Sequence, residues 1–104
     1  MPTNTARTFA DGVAVRQPDP DAFALIAAGA SRIVRVSDGD IAAAIRAYYV
    51  DTHNLAEGAG AAPLAAAMKE GPALHGKKVA VVLCGGNIDT RLFRAILAGE
   101  TPDP

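Results

Sequence analysis

The chain has 104 residues, of which half are hydrophobic, and a formal net charge of −1. This length bounds it at one domain, and the charge, with no basic cluster beyond Lys77-Lys78, argues against a nucleic-acid-binding surface. The single cysteine excludes an intrachain disulfide framework and fits a reducing compartment. Because no apolar run reaches membrane-spanning length and no signal-peptide pattern opens the chain, we expect a soluble, cytoplasmic protein.

The first predicted elements are a loose start, a turn, a helix and a strand. Residues 1–7 are polar, and we expect them to be disordered. Asp11-Gly12 predicts a turn, because this pair suits a positive φ. A short helix follows at about 22–28. The strand predicted at about 32–36 has two arginines among its apolar residues, which indicates that one side is exposed.

The best-defined predicted helix spans about 38–52. Ser37 precedes it, and Asp40 three positions later completes an approximate capping box. Apolar residues follow the i, i+3, i+4 spacing of a buried helical face, namely Ile41, Ala44, Ile45, Tyr48 and Tyr49. A third helix is predicted at about 61–70, with Pro63 in its first turn, where proline is tolerated.

The strongest strand signal lies at about 78–83, where five apolar residues occur in a row. Such a run is typical of a strand buried on both faces of a parallel sheet. It is followed by Cys84-Gly85-Gly86-Asn87, and ligands of open α/β sheets bind at the carboxyl ends of such strands. Asn87 or Asp89 then caps a last predicted helix at about 89–98.

The predicted fold class is α/β, a partial three-layer α/β/α arrangement with mostly parallel strands. It has four helices and only two strands, and a sheet of two strands is rarely stable alone. The missing strands would therefore come from oligomerisation or from another polypeptide, and we favour an incomplete domain. Residues 99–104 are predicted to be a tail. His53 and His75 have no metal-ligand or triad spacing, so we predict no metal site.

Three motifs in order carry a resemblance to a known family: Thr8-Phe9-Ala10-Asp11-Gly12-Val13-Ala14-Val15, Glu57-Gly58-Ala59-Gly60-Ala61 and Val81-Val82-Leu83-Cys84-Gly85-Gly86-Asn87-Ile88-Asp89. They resemble the C-terminal part of the catalytic domain of threonine dehydratases, serine dehydratases and serine racemases. These are pyridoxal-phosphate enzymes of the tryptophan-synthase-β fold. The resemblance covers residues 8–98. It implies a homo-oligomeric lyase that converts a small hydroxyl amino acid to a 2-oxo acid and ammonia.

The resemblance implies that the turn after the second strand contacts pyridoxal 5'-phosphate. Cys84 matches the position whose side chain meets the pyridine nitrogen. Gly85 and Gly86 would bring backbone close to the ring, and Asn87 would fix the turn. Without the flanking motif, a lone cysteine at the end of a buried strand is more often a small core residue.

Three further positions match residues around the cofactor of that family. Glu57 matches a glutamate close to the cofactor, and Gly12 matches a glycine whose backbone borders the ring. Asp11 matches an acidic residue on the substrate side. The alternative for Glu57 is a solvated loop charge, and for Asp11-Gly12 an ordinary turn.

The chain also departs from the family pattern. The family's Schiff-base lysine lies in a Ser-x-Lys-x-Arg type of motif that is absent here, since Lys69, Lys77 and Lys78 have other contexts. The glycine-rich phosphate loop is absent as well. Covalent catalysis needs the amine, so we assign no catalytic residue and expect the isolated chain to be inactive. The alternatives are a standalone interaction or small-ligand-binding module, and a half-enzyme completed by a separately encoded N-terminal part.

Overall fold

A computed structural model describes residues 2–104. Met1, which belongs to the segment predicted to be disordered, lies outside the described residues. The described residues form four α-helices: α1 (Pro20–Gly29), α2 (Asp38–Thr52), α3 (Gly58–Lys69) and α4 (Thr90–Leu97). Short 3-10 helices occur at Asp11–Val13 and Gly71–Leu74. The four α-helices coincide with the four predicted ones to within a few residues at each end.

The N-termini of α2 and α4 have the side-chain caps that the sequence indicates. Ser37 Oγ accepts a hydrogen bond from the Asp40 N–H at 3.1 Å, and the Asp40 carboxylate accepts from the Ser37 N–H at 2.8 Å. This pair is the predicted capping box. At α4 the cap is Asp89, whose carboxylate accepts from the N–H groups of Arg91 and Leu92. Asp89, and not Asn87, therefore starts the last helix.

The helix α3 begins earlier than predicted. The sequence places its start near residue 61 because Pro63 is typical of a first turn, whereas the helix runs from Gly58 and contains Pro63 in its interior. Proline has no N–H, so it leaves the carbonyl of Ala59, four residues earlier, without its intrahelical partner. Glu57 becomes the residue that precedes the helix. This earlier start places Gly58, Ala59 and Gly60 in the first helical turn.

The two predicted strands are not formed. None of the described residues is in a strand, and both 32–36 and 78–83 lack sheet pairing. Val79 and Val82, expected to be buried on both faces, are 50% and 71% exposed, and Ile33 is 74% exposed. A strand needs a neighbour for its backbone hydrogen bonds, and residues 2–104 supply none. The α/β class is therefore not confirmed by the chain's own structure, which is helical.

The core is small and rich in alanine. It lies mainly between α2 and α3, and α4 packs on α2. Ile45 of α2 and Ile96 of α4 are the largest fully buried side chains. Arg46 reinforces the contact of these helices by donating a hydrogen bond to the carbonyl of Ile96 at 3.1 Å. The other buried apolar residues are Phe9, Ala10, Ile41, Ala42, Ala44, Ala56, Ala61 and Ala65.

The remaining helix, α1, contacts no other described helix. All of its residues are exposed, and Phe23, Leu25 and Ile26 are each more than half exposed. An ion pair between Arg32, which follows α1, and Glu70 attaches this part of the chain to the end of α3. The distance from Arg32 Nε to Glu70 Oε1 is 3.1 Å. An isolated helix of this length is marginal in water, so α1 has an apolar surface that the described chain leaves uncovered.

Candidate functional site

The first turn of α3 is the place where the three sequence motifs meet. The Glu57 N–H donates a hydrogen bond to the carbonyl of Gly85 at 3.1 Å. The Glu57 side chain lies against the same glycine, because a methyl group on Gly85 would be 3.1 Å from the carboxyl carbon of Glu57. Both the backbone and the side chain of Glu57 therefore contact Gly85. The second and third motifs form one structural unit.

The glycines of this unit allow backbone to pack on backbone. A methyl group on Gly86 would lie 2.5 Å from the carbonyl oxygen of Leu55, and one on Gly60 would overlap the carbonyl oxygen of Gly85. Cβ atoms are not found so close to another atom, so only glycine fits at these positions. Within this chain, the space that a side chain would need at Gly85 and Gly86 is filled by the segment that precedes α3.

The first motif packs on the other side of the same helical turn. A methyl group on Gly58 would lie 2.5 Å from Cβ of Ala10, and one on Gly12 would lie 2.7 Å from Cβ of Ala59. Thr8 fixes this segment from the other end. Its hydroxyl is hydrogen-bonded to a carboxylate oxygen of Asp38 and accepts from the Ala10 N–H at 3.0 Å. The segment 8–12 therefore bridges the starts of α2 and α3.

A cleft of about 320 Å³ opens between these motifs. Of the predicted site residues, Asp11, Glu57 and Asn87 line it, whereas Gly12, Cys84, Gly85 and Gly86 do not. Cys84 is a free, exposed thiol. The cleft lining contains four carboxylate side chains and neither lysine nor arginine. Its further lining residues are Thr8, Phe9, Gly58, Ile88, Asp89, Leu92, Asp103 and Pro104.

Several of these residues do not stand out in the sequence. In the sequence, Thr8 is only the first residue of a motif. Its contact with Asp38, thirty residues away, cannot be predicted from the local sequence. In the sequence, Gly58 and Gly60 indicate a flexible loop. Two glycines separated by one residue at the start of a helix could instead have indicated close packing. Asp103 belongs to the predicted tail, but it lines the cleft.

The acidic side chains of the cleft do not form a metal centre. Among residues 2–104 no group of three or more His, Cys, Asp or Glu side chains is arranged to hold a metal ion.

None of the helices in this part of the chain is long and apolar enough to cross a membrane.

The clearest electrostatic effects lie away from the cleft. The Arg32 guanidinium, mainly through its hydrogen bond, lowers the pKa of Glu70 at the C-terminal end of α3. Hydrogen bonds from Ser37, to which a nearby Lys69 adds, lower the pKa of Asp40. The side chains of Glu70 and Asp40 are partly exposed, at 26% and 38%, so these shifts describe surface contacts of the α2 and α3 termini.

Comparisons with known proteins agree with the resemblance of the motifs. Residues 1–85 match the family of pyridoxal-phosphate dependent enzymes. An L-threonine ammonia-lyase of Thermotoga maritima is 39% identical over 90 residues, which are 86% of this chain and 22% of the relative. The same values hold for an L-threonine ammonia-lyase of Geobacter sulfurreducens. An L-threo-3-hydroxyaspartate ammonia-lyase of Saccharomyces cerevisiae is 28% identical over 101 residues, 97% of this chain and 31% of the relative.

The chain thus spans less than a third of the length of each of these relatives. The family match covers 85 of its 104 residues and includes the first two motifs and the third as far as Gly85. On that match, the chain belongs to the family of pyridoxal-phosphate-dependent enzymes.

Proposed function

We propose that this chain supplies the C-terminal, cofactor-facing segment of a pyridoxal-phosphate-dependent ammonia-lyase that acts on threonine, serine or a related small hydroxyl amino acid. The family has the tryptophan-synthase-β-like fold. One observation carries the proposal: Asp11, Glu57 and Asn87, from three motifs that are distant in sequence, line a single cleft. The names of the relatives, which are ammonia-lyases for threonine and for L-threo-3-hydroxyaspartate, support the substrate class.

The described residues fit one side of the cofactor. An exposed thiol at Cys84 suits the pyridine nitrogen, because a neutral thiol is a weak hydrogen-bond donor and would leave that nitrogen unprotonated. The phosphate does not fit the cleft, whose carboxylates would repel it and whose lining has no lysine or arginine. The phosphate must then be held by residues outside this cleft. When bound, the cofactor would supply the electron-withdrawing group that makes loss of the β-hydroxyl possible.

The other predicted site residues have distinct proposed tasks. Glu57, held against Gly85, would place a carboxylate at the edge of the ring. Gly12 would border the ring with backbone alone, and Asp11 would face the substrate side of the cleft. Asn87 would fix the turn that follows Cys84. These assignments follow the resemblance of the motifs.

The chain alone is proposed to be inactive, because none of its lysines lines the cleft. Lys69 lies at the far end of the 12-residue helix α3, about 18 Å from Glu57 at about 1.5 Å per residue. Its ammonium group donates to the carbonyl of Arg35 at 2.8 Å. Lys77 and Lys78 are exposed and do not line the cleft. We therefore propose that none of them forms the covalent link to the cofactor.

The remainder of the catalytic domain is the proposed partner of the uncovered surfaces. The segment 78–83 has unpaired backbone and exposed Val79 and Val82, and α1 exposes its apolar side chains. Strands of the remaining domain would pair with 78–83, whether they belong to the same polypeptide or to a separately encoded N-terminal part. A standalone binding module is the weaker candidate, since these apolar surfaces would stay in water.

The test is a hybrid enzyme. The 90 matching residues of the Thermotoga maritima relative would be replaced by the corresponding residues of this chain, and threonine-dependent ammonia release would be measured. We expect activity in the hybrid, retention of it in Cys84→Ser, and a roughly ten-fold or greater loss in Cys84→Asp, which corresponds to about 1.4 kcal/mol of barrier. A folded, cofactor-loaded hybrid that releases no ammonia would refute the proposed function. Equal rates in Cys84→Ser and Cys84→Asp would refute the assignment of Cys84.

A further inference from the structure

The first turn of α3 contacts two different segments on two different sides. Gly58 and Ala59 face the segment 8–12, where the close approaches are to Ala10 and to Gly12. Glu57 and Gly60 both contact Gly85 of the opposite segment. Helix geometry explains why the two contacts differ. Glu57 and Gly60 are three positions apart and lie on the same side of the helix, whereas Gly58 and Ala59, between them, lie on another side. One helical turn therefore separates the two halves of the candidate site.

We infer that Gly58 and Gly60 are positioning residues that set the two halves of the site independently. Gly60 would determine where the Cys84–Asn87 turn lies, and Gly58 would determine where the segment 8–12 lies. The inference deepens the proposed function and rests on it, since those segments are the proposed cofactor and substrate sides. Each glycine would act through the segment it contacts and not by binding the cofactor or substrate itself.

The size of the effect follows from the contact distances. A methyl group on Gly58 would be 2.5 Å from Cβ of Ala10 and 2.7 Å from its Cα, and the methyl group on Gly60 would overlap the Gly85 carbonyl. Ordinary carbon contacts lie at about 3.5–4.0 Å, so each segment would have to move by about 1 Å. The obstructing atoms are backbone or Cβ and cannot rotate away. A displacement of about 1 Å in a catalytic arrangement can reduce the rate about a hundred-fold.

The chain offers matched controls for these two substitutions. A methyl group added at Gly71 or Gly29 would have no atom within 4 Å, and neither glycine has a positive φ. Gly71→Ala and Gly29→Ala therefore add the same methyl group without a clash. Any effect common to all four variants would come from the loss of glycine flexibility and not from displacement of a segment.

The experiment is amide NMR of the 104-residue chain without cofactor. In Gly60→Ala we expect the amide signals of residues 84–87 to shift and the Glu57 N–H, which donates to Gly85, to lose its protection from hydrogen exchange. The signals of residues 10–12 should stay in place. In Gly58→Ala the pattern should be reversed. Gly71→Ala should move neither group.

Two results would overturn the inference. The first is that Gly58→Ala and Gly60→Ala each shift the signals of residues 84–87 and of residues 10–12 to the same extent, or shift them no more than Gly71→Ala does. The other needs no variant and applies even if Gly60→Ala fails to fold: an unprotected Glu57 N–H in the unaltered chain would mean that the contact with Gly85 is absent. Because this experiment uses no cofactor, an inactive hybrid enzyme with the expected NMR pattern would refute the function and leave the positioning intact.

Discussion

Truncation of Ile96 should destabilise the chain far more than truncation of its neighbour Leu97. Ile96 is fully buried and joins α4, which follows the Cys84–Asn87 turn, to α2, whereas Leu97 is 39% exposed. Ile96→Ala removes three carbon groups at about 0.8 kcal/mol each, about 2.4 kcal/mol of transfer free energy. The cavity left in an already small core raises the expected loss to about 3–4 kcal/mol.

That loss is large relative to the whole stability of the chain. Proteins of this length have free energies of unfolding that begin at about 5 kcal/mol, and a core composed mostly of alanine favours the low end. Ile96→Ala should lower the melting temperature by about 15 °C. Leu97→Ala should cost about 1.5 kcal/mol at most, because it creates no enclosed cavity.

The assay is urea and thermal unfolding of both variants, followed by far-ultraviolet circular dichroism. Similar losses in Ile96→Ala and Leu97→Ala would refute the reasoning, since they would mean that α4 is not packed through Ile96. A loss below about 1 kcal/mol in Ile96→Ala would refute it equally, because a fully buried isoleucine cannot be removed at so small a cost.

Three further predictions concern the surface of the chain. His53 ends α2 at a φ of +56°, so His53→Gly should raise the free energy of unfolding by about 1 kcal/mol, whereas the control His75→Gly, at a φ of −55°, should not stabilise. Ser37→Ala should remove the α2 cap and lower the melting temperature through a loss of about 1 kcal/mol. Arg32 lowers the pKa of Glu70, so Arg32→Gln should return that pKa, measured by NMR titration, toward its usual 4.5. The contribution of this pair to stability is present above pH 4.5 and is lost as the pH falls through the lowered pKa of Glu70; an unchanged pKa in Arg32→Gln would contradict the pairing.

The helices could be predicted from the sequence because their signals are local. Ser37 and Asp40 are three residues apart, and both of their hydrogen bonds lie within one turn. The buried face of α2 follows from the spacing of Ile41 and Ile45, which are 3% and 0% exposed. Tyr49, assigned to the same face, is 40% exposed because that end of α2 extends beyond the core.

The strands and the site could not be predicted in the same way, because both depend on distant partners. The apolar run ending at Leu83 indicates a buried strand, but its burial requires neighbouring strands, and residues 2–104 form none. The contact between Glu57 and Gly85 joins residues 28 positions apart, and no periodicity connects them. The resemblance of the motifs pointed to Glu57 and Gly85, whose roles stay predictions, and only the structure shows the packing that requires glycine at Gly60.

The most direct test of the central claim, that this chain carries only part of a cofactor site, is a spectrophotometric titration with pyridoxal phosphate. The chain alone and the hybrid with the Thermotoga maritima relative would be compared, each with and without borohydride, followed by peptide mapping. We expect that only the hybrid gives a saturable absorbance band that borohydride fixes on one lysine, and that this lysine belongs to the relative. A saturable, reducible band on Lys69, Lys77 or Lys78 of the isolated chain, with ammonia release from threonine, would contradict it.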